Sequence, residues 1–153
     1  MWKRFAKFWQ DKQTQQSIDA RETPVTIKQY FMGRDIAFPE DYNEEIRKNA
    51  ERLIYKVNGL LTDLRVERVR VSSGWRPATV NRRIGGAKRS LHLNGKAIDL
   101  ADSNKELARR ILDNRGLLKK WGLWLENTEH TDTWVHLDIG IRAPRPGGNI
   151  FKP

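Results

Sequence analysis

Residues 90–101, SLHLNGKAIDLA, contain the pattern that decides the fold of this chain. The segment KAIDLA predicts a short strand with Asp99 at its centre. An isolated carboxylate in the middle of a buried strand is costly unless it is paired or bound to a cation. His92 comes seven residues before Asp99, and Asn94 and Gly95 between them favour a turn. The segment therefore predicts a turn that leads into a strand, with a histidine and a carboxylate as candidate functional residues.

A second segment, TWVHLDI over residues 133–139, predicts another strand. Strand alternation places four side chains on one face: Asp132, Trp134, His136 and Asp138. The chain has no cysteine and three histidines, so any metal must be held by His, Asp and Glu. Two imidazoles and one carboxylate, with water in the fourth position, are typical of an open catalytic zinc site. The same residues are also compatible with a core histidine that Asp99 satisfies without metal.

Other parts of the sequence predict helices around these strands. Residues 43–64 carry apolar side chains at three- and four-residue spacing, which predicts one long helix with a buried face. Elsewhere we expect a strand over 66–73 and a long loop over 73–95. A helix then runs from a Ser103–Glu106 capping box to about Lys120, with its regular part interrupted or ended by Gly116, and a strand over 122–126 and a turn-rich tail follow. This order indicates an α+β fold with a mainly antiparallel sheet packed with helices.

Length and charge set limits on the organisation and the partners. At 153 residues the chain fits one domain, which we place at residues 22–153. Residues 1–21 form a basic and aromatic segment with a linker, read either as an amphipathic segment that touches an envelope or as an end that packs on the domain or frays. The net charge of +10 favours an anionic partner such as nucleic acid, an acidic membrane surface or envelope polymers. The sequence predicts neither a transmembrane segment nor a standard signal peptide.

Five positions of one motif connect the chain to a known family. SLHLNGKAID fits the pattern Ser-x-His-x-x-Gly-x-Ala-x-Asp, with the fixed positions Ser90, His92, Gly95, Ala97 and Asp99. With SSGWRP upstream and WVHLD downstream, the chain resembles the zinc DD-peptidase and hedgehog-like group over about residues 26–142. That group includes D-Ala-D-Ala carboxypeptidases, D,D-dipeptidases and the L-alanyl-D-glutamate endopeptidases that bacteriophages use as endolysins. The resemblance also implies a hedgehog/DD-peptidase-like fold.

The resemblance implies a role for each matched residue. His92, Asp99 and His136 would hold zinc, and Arg76 would reach the substrate carbonyl or carboxylate and steady developing negative charge. Ser90 would either form a hydrogen bond near the metal or shape the turn. The implied activity is zinc-dependent hydrolysis of peptide bonds in peptidoglycan stem peptides, by a monomeric phage lysis enzyme drawn to the anionic cell envelope. Such an enzyme would be made in the host cytoplasm and act at the cell wall or periplasm.

One position departs from the family pattern. Several members place an Asp or Glu three residues before the last zinc histidine, and here that residue is Thr133, which cannot act as a base. Asp132 and Asp138 flank His136 and are the candidate general bases, with a slight preference for Asp132. His130 and Glu129, in the preceding loop, are interpreted as solvent-facing residues.

Two other functions compete with the enzyme hypothesis. The first is a non-catalytic zinc domain that binds peptidoglycan or protein, which the residue at position 133 favours. The second is a nucleic-acid-binding protein, which the charge and the six tryptophans favour. The basic residues are spread along the chain and no nucleic-acid motif is present, so we expect no specific nucleic-acid partner.

Overall fold

A single mixed sheet runs through the computed structural model, which describes residues 23–153. The predicted segment 1–21 lies outside these residues. The strands within the described part pair in the order β1-β2-β4-β3-β5, and their bounds are Val71–Ser73 (β1), Ala97–Ala101 (β2), Trp124–Glu126 (β3), Trp134–Asp138 (β4) and Ile150–Phe151 (β5). All neighbours are antiparallel except β3 and β5. The predicted α+β class with a mainly antiparallel sheet is therefore confirmed.

The longest helix, α3, covers one face of this sheet. It begins at Asn43, whose side chain accepts a hydrogen bond from the Ile46 N–H, and its apolar side chains join Ile98, Leu100 and Leu137 in the core. The described helices are Ile27–Phe31 (α1), Arg34–Ala37 (α2), Glu44–Asp63 (α3), Ala78–Arg83 (α4), Glu106–Asp113 (α5) and Gly116–Trp121 (α6), with a 3₁₀ turn at Leu91–Asn94. Successive side chains of a strand point to opposite faces of the sheet. Asp99 and His136 are adjacent to these core residues in the sequence, so they face away from α3.

No helix in residues 23–153 has the length and apolarity that would let it cross a membrane.

Two predicted elements upstream of the motif are wrong in their extent. The strand expected over 66–73 contains only Val71–Ser73, and the preceding residues are irregular. The loop expected over 73–95 contains helix α4 and the 3₁₀ turn. Asn81 on α4 closes the connection between them, because its side-chain amide donates to the carbonyl of Ala87 at 3.0 Å.

The predicted second helix is interrupted next to Gly116, as expected, but its predicted capping box is wrong. The helix is divided into α5 and α6, and Ser103 does not cap it. The carboxylate of buried Asp102 instead accepts hydrogen bonds from the N–H groups of Leu107 and Ala108, at 2.9 and 2.8 Å. A carboxylate at the positive end of a helix forms stronger hydrogen bonds than a hydroxyl, which explains why Asp102 and not Ser103 accepts from these N–H groups. The turn-rich tail also contains β5, which the sequence pattern did not predict.

A candidate metal centre on the polar face of the sheet

His92 is held by a tight turn between α4 and β2. The Ser90 hydroxyl accepts a hydrogen bond from the His92 N–H at 3.3 Å, so Ser90 caps the 3₁₀ turn. Gly95 ends the turn with φ of 71°, and a Cβ there would lie 2.7 Å from the carbonyl oxygen of Ile46. Only glycine fits both conditions. Of the two roles left open for Ser90, this contact supports shaping of the turn.

The imidazole of His92 is oriented by a backbone carbonyl. Its Nδ1–H donates to the carbonyl oxygen of Gly74 at 2.7 Å. Gly74 itself approaches the backbone of Tyr30, and a Cβ at this position would lie 1.9 Å from the Tyr30 carbonyl oxygen. Because Nδ1 carries the proton, Nε2 keeps its lone pair. Burial lowers the pKa of His92 below its usual value, which favours this neutral form.

Asp99 joins the two histidines at the centre of the sheet. It pairs with His136 across β2 and β4, and its Oδ1 lies 2.8 Å from His136 Nδ1 and 3.3 Å from His92 Nε2. Its Oδ2 accepts a hydrogen bond from Arg76 Nη2 at 2.6 Å. Burial opposes ionisation of Asp99, yet the hydrogen bond from His136 and the close contact with His92 outweigh burial and hold the pKa of Asp99 below its usual range.

His136 is oriented by charged side chains. Its Nε2 lies 3.3 Å from Oδ2 of Asp138, which is fully buried. Asp138 also accepts hydrogen bonds from both terminal nitrogens of Arg142 and from the Gly140 N–H. Burial alone would lower the pKa of His136, but the hydrogen bonds to Asp138 and Asp99 outweigh it and raise the pKa to about 9. Arg142 is fixed in turn over the ring of Phe151, with its guanidinium carbon 3.7 Å from the ring centroid.

The residues His92, Asp99 and His136 meet the requirements of a metal site. One ligand atom of each lies within 4.8 Å of the other two. Tetrahedral zinc with bonds of about 2.0–2.2 Å places its ligand atoms about 3.3 Å apart, close to the distances observed. The buried Nε2 of His92 has no hydrogen-bond partner among the described residues, since its approach to Asp99 lacks hydrogen-bond geometry. A cation between these atoms would accept this lone pair, and the outer hydrogen bonds would orient both imidazoles toward it.

Comparison with known proteins agrees with this geometry. A family model described as Peptidase M15 matches residues 29–138, which is most of the chain. The chain belongs to the Peptidase M15 family. M15 peptidases are zinc-dependent, so the predicted family and the predicted zinc cofactor are confirmed, and the protein is a metallopeptidase. Comparison with curated protein sequences gives no match.

The other predicted site residues of this M15 peptidase lie in different surroundings. Arg76 contacts Asp99 and, through Nε, the hydroxyl of Ser73, while its Nη1 forms no hydrogen bond within residues 23–153. Asp138 lies at the site with both oxygens engaged. Asp132 was expected on the face of β4, but it is exposed and lies in the bend before the strand begins. The general-base role predicted for Asp132 or Asp138 stays a prediction.

Three residues that no sequence pattern indicated as functional also border the site. Arg142 holds Asp138, and the ring of Phe151 lies edge-on to His136 at 6.0 Å between centroids. Glu126 lies at the end of β3, and burial raises the pKa of its carboxyl above the usual value. Alternation within GLWLE would have placed Glu126 and Trp124 on one face, but nothing in the sequence indicates which strand lies beside them.

Proposed function

We propose that this metallopeptidase hydrolyses peptide bonds in peptidoglycan stem peptides, as a carboxypeptidase or endopeptidase, and serves as a bacteriophage lysis enzyme. The observation that carries the proposal is the convergence of His92, Asp99 and His136 on the polar face of the sheet, with a buried imidazole nitrogen directed at the carboxylate. The motif SLHLNGKAID supports the substrate class, because the group it resembles acts on such peptides.

The residues of the site have separate roles in peptide hydrolysis. His92, Asp99 and His136 would hold the zinc ion, which when bound polarises a carbonyl and activates water for attack near neutral pH. Arg76 orients Asp99 through the hydrogen bond from Nη2, and its Nη1 would contact the substrate carbonyl oxygen as negative charge develops. A carboxylate at the site would take a proton from the attacking water and return it to the leaving amine.

Charge near the site supports an anionic substrate. The end of α4 and the connection that follows it to the 3₁₀ turn carry exposed cations, and three of them form no ion pair within the described residues: Arg83, Lys88 and Arg89. Because this connection leads directly into His92, the cations would draw anionic envelope polymer toward the metal centre. In this proposal the enzyme is a monomer that leaves the host cytoplasm and acts at the cell wall or periplasm.

The test is hydrolysis of purified peptidoglycan by the purified full chain. We expect release of peptide fragments, loss of release after chelation and recovery when zinc is restored. Mass analysis of fragments from defined muropeptides would identify the bond that is cut, which one scaffold does not determine. Zinc-loaded protein that binds peptidoglycan without releasing fragments would instead support the non-catalytic zinc domain.

A further inference from the structure

The carboxylates nearest the metal centre are already engaged. Asp99 faces both histidines, and Asp138 accepts hydrogen bonds from Arg142 and Gly140 while it orients His136. Asp132 is exposed outside β4. If the chain hydrolyses peptides as proposed above, the proton of the attacking water needs a carboxylate that faces the site and has a free oxygen.

The sheet register places Glu126 beside His136. β3 and β4 pair through Trp124 with Asp138 and through Leu125 with Leu137. The next antiparallel step brings Glu126 next to His136, on the face shared by Trp124, Asp138 and His136. Across the other edge of β3, Glu126 pairs with Phe151, whose ring contacts His136. One row across the sheet therefore contains Asp99, His136, Glu126 and Phe151 in sequence.

Glu126 is near the metal ligands and is not committed to another contact. Neighbouring strands lie about 4.8 Å apart, so Glu126 is one strand from His136 and two from Asp99. Its carboxylate interacts electrostatically with His136, Asp99, His130 and Asp138. It is half-buried, and within residues 23–153 it forms no hydrogen bond or ion pair. A half-buried carboxylate with free oxygens beside a metal centre is suited to proton transfer.

We propose that Glu126 is the catalytic carboxylate that moves the proton during hydrolysis. As the water oxygen bonds to the scissile carbonyl carbon, Glu126 accepts one of the water protons. When the carbon–nitrogen bond breaks, Glu126 gives this proton to the leaving amine, so that the carboxylate is regenerated and the products are an acid and an amine. The role that Thr133 cannot fill, directly before β4, is then supplied by Glu126 on the adjacent strand β3.

The test compares Glu126→Gln with the parent chain and with two matched variants, Glu129→Gln and Asp132→Asn. Glutamine keeps the shape of the side chain but cannot accept the proton. We expect Glu126→Gln to retain the parent zinc content, melting temperature and affinity for stem peptide, while hydrolysis falls about 10²- to 10⁴-fold. Glu129→Gln, an exposed carboxylate in the loop that follows β3, should hydrolyse stem peptide at the parent rate.

Two results would overturn the assignment. Hydrolysis by Glu126→Gln at the parent rate, with Asp132→Asn nearly inactive and zinc retained, would transfer the role to Asp132. Loss of zinc or of melting temperature in Glu126→Gln would show that Glu126 supports the structure instead. Failure of the parent chain to cut any stem peptide would count against the proposed function itself, which separates the two conclusions.

Discussion

The two histidines of the metal centre are held in opposite ways. His92, in the upstream half of the site, is buried and donates to the Gly74 carbonyl, and its pKa lies below the usual value. His136, in the downstream half, lies between the carboxylates of Asp99 and Asp138, and its pKa is raised to about 9. The same side-chain type is therefore kept neutral in one half and favoured as a cation in the other.

This difference shows which half of the metal centre will respond to an amino-acid substitution. The upstream orientation depends on a backbone carbonyl and on close packing at Gly74, so side-chain chemistry has little influence on it. The downstream orientation depends on Asp138, whose carboxylate forms a hydrogen bond with His136, and on Arg142, which holds Asp138 through its own hydrogen bonds. The downstream half should therefore control how zinc affinity responds to charge and to pH.

The largest effect is expected where the two halves meet. Asp99→Ala removes the carboxylate that both histidines face, and we expect bound zinc to fall from one per chain to almost none, with hydrolysis lost. Metal analysis of the purified protein measures this directly. Asp113→Ala, an exposed carboxylate on α5, is the control and should keep its zinc. Full zinc content in Asp99→Ala would show that the ligand assignment is wrong.

Asp138→Asn tests the downstream half alone. The amide keeps the shape but removes the charge, so we expect zinc affinity to fall about 10- to 100-fold with the fold intact. Competition with a chelator of known affinity measures the change, with Asp113→Asn as the control. Parent zinc affinity together with lost hydrolysis would contradict the orienting role and favour Asp138 as the general base.

The pH dependence of zinc binding distinguishes the two histidines. Below about pH 9 the metal-free His136 is protonated, so zinc must displace a proton from its Nδ1, whereas His92 is already neutral. Affinity should therefore rise about tenfold per pH unit from neutral pH up to about pH 9, with about one proton released per zinc near pH 7. Calorimetry in buffers of different ionisation enthalpy measures this proton. Zinc binding without proton release would show that the two histidines do not differ in protonation in the metal-free protein.

The smallest effect is expected from the exposed cations of the upstream half. Replacement of Arg83, Lys88 and Arg89 by Gln should slow hydrolysis of intact sacculi by about tenfold or less, and should leave a small neutral peptide unaffected. Added salt should reproduce this difference, because the Debye length is about 8 Å at physiological ionic strength. An equal loss of hydrolysis on both substrates would show that these cations act in the chemical step.

Several features could be predicted because they depend on neighbouring residues in the sequence. Helix α3 was predicted within one residue at each end, since its apolar spacing and the Asn43 cap are local signals. Helix α4 was missed because ATVNRR is too short to show an apolar repeat. The cap of α5 was assigned to Ser103 because sequence spacing does not reveal that buried Asp102 reaches two N–H groups.

The sequence by itself determined the metal-ligand types, the turn at His92 and the strands that carry Asp99 and His136. These features follow from short spacing, glycine positions and alternation, each of which acts over a few residues. Only the tertiary structure decided that Glu126 lies beside His136, that Arg142 holds Asp138 and that Phe151 closes the row. Strand order and register join distant residues, and a shift of one position would turn every side chain to the other face, so local pattern alone does not specify them.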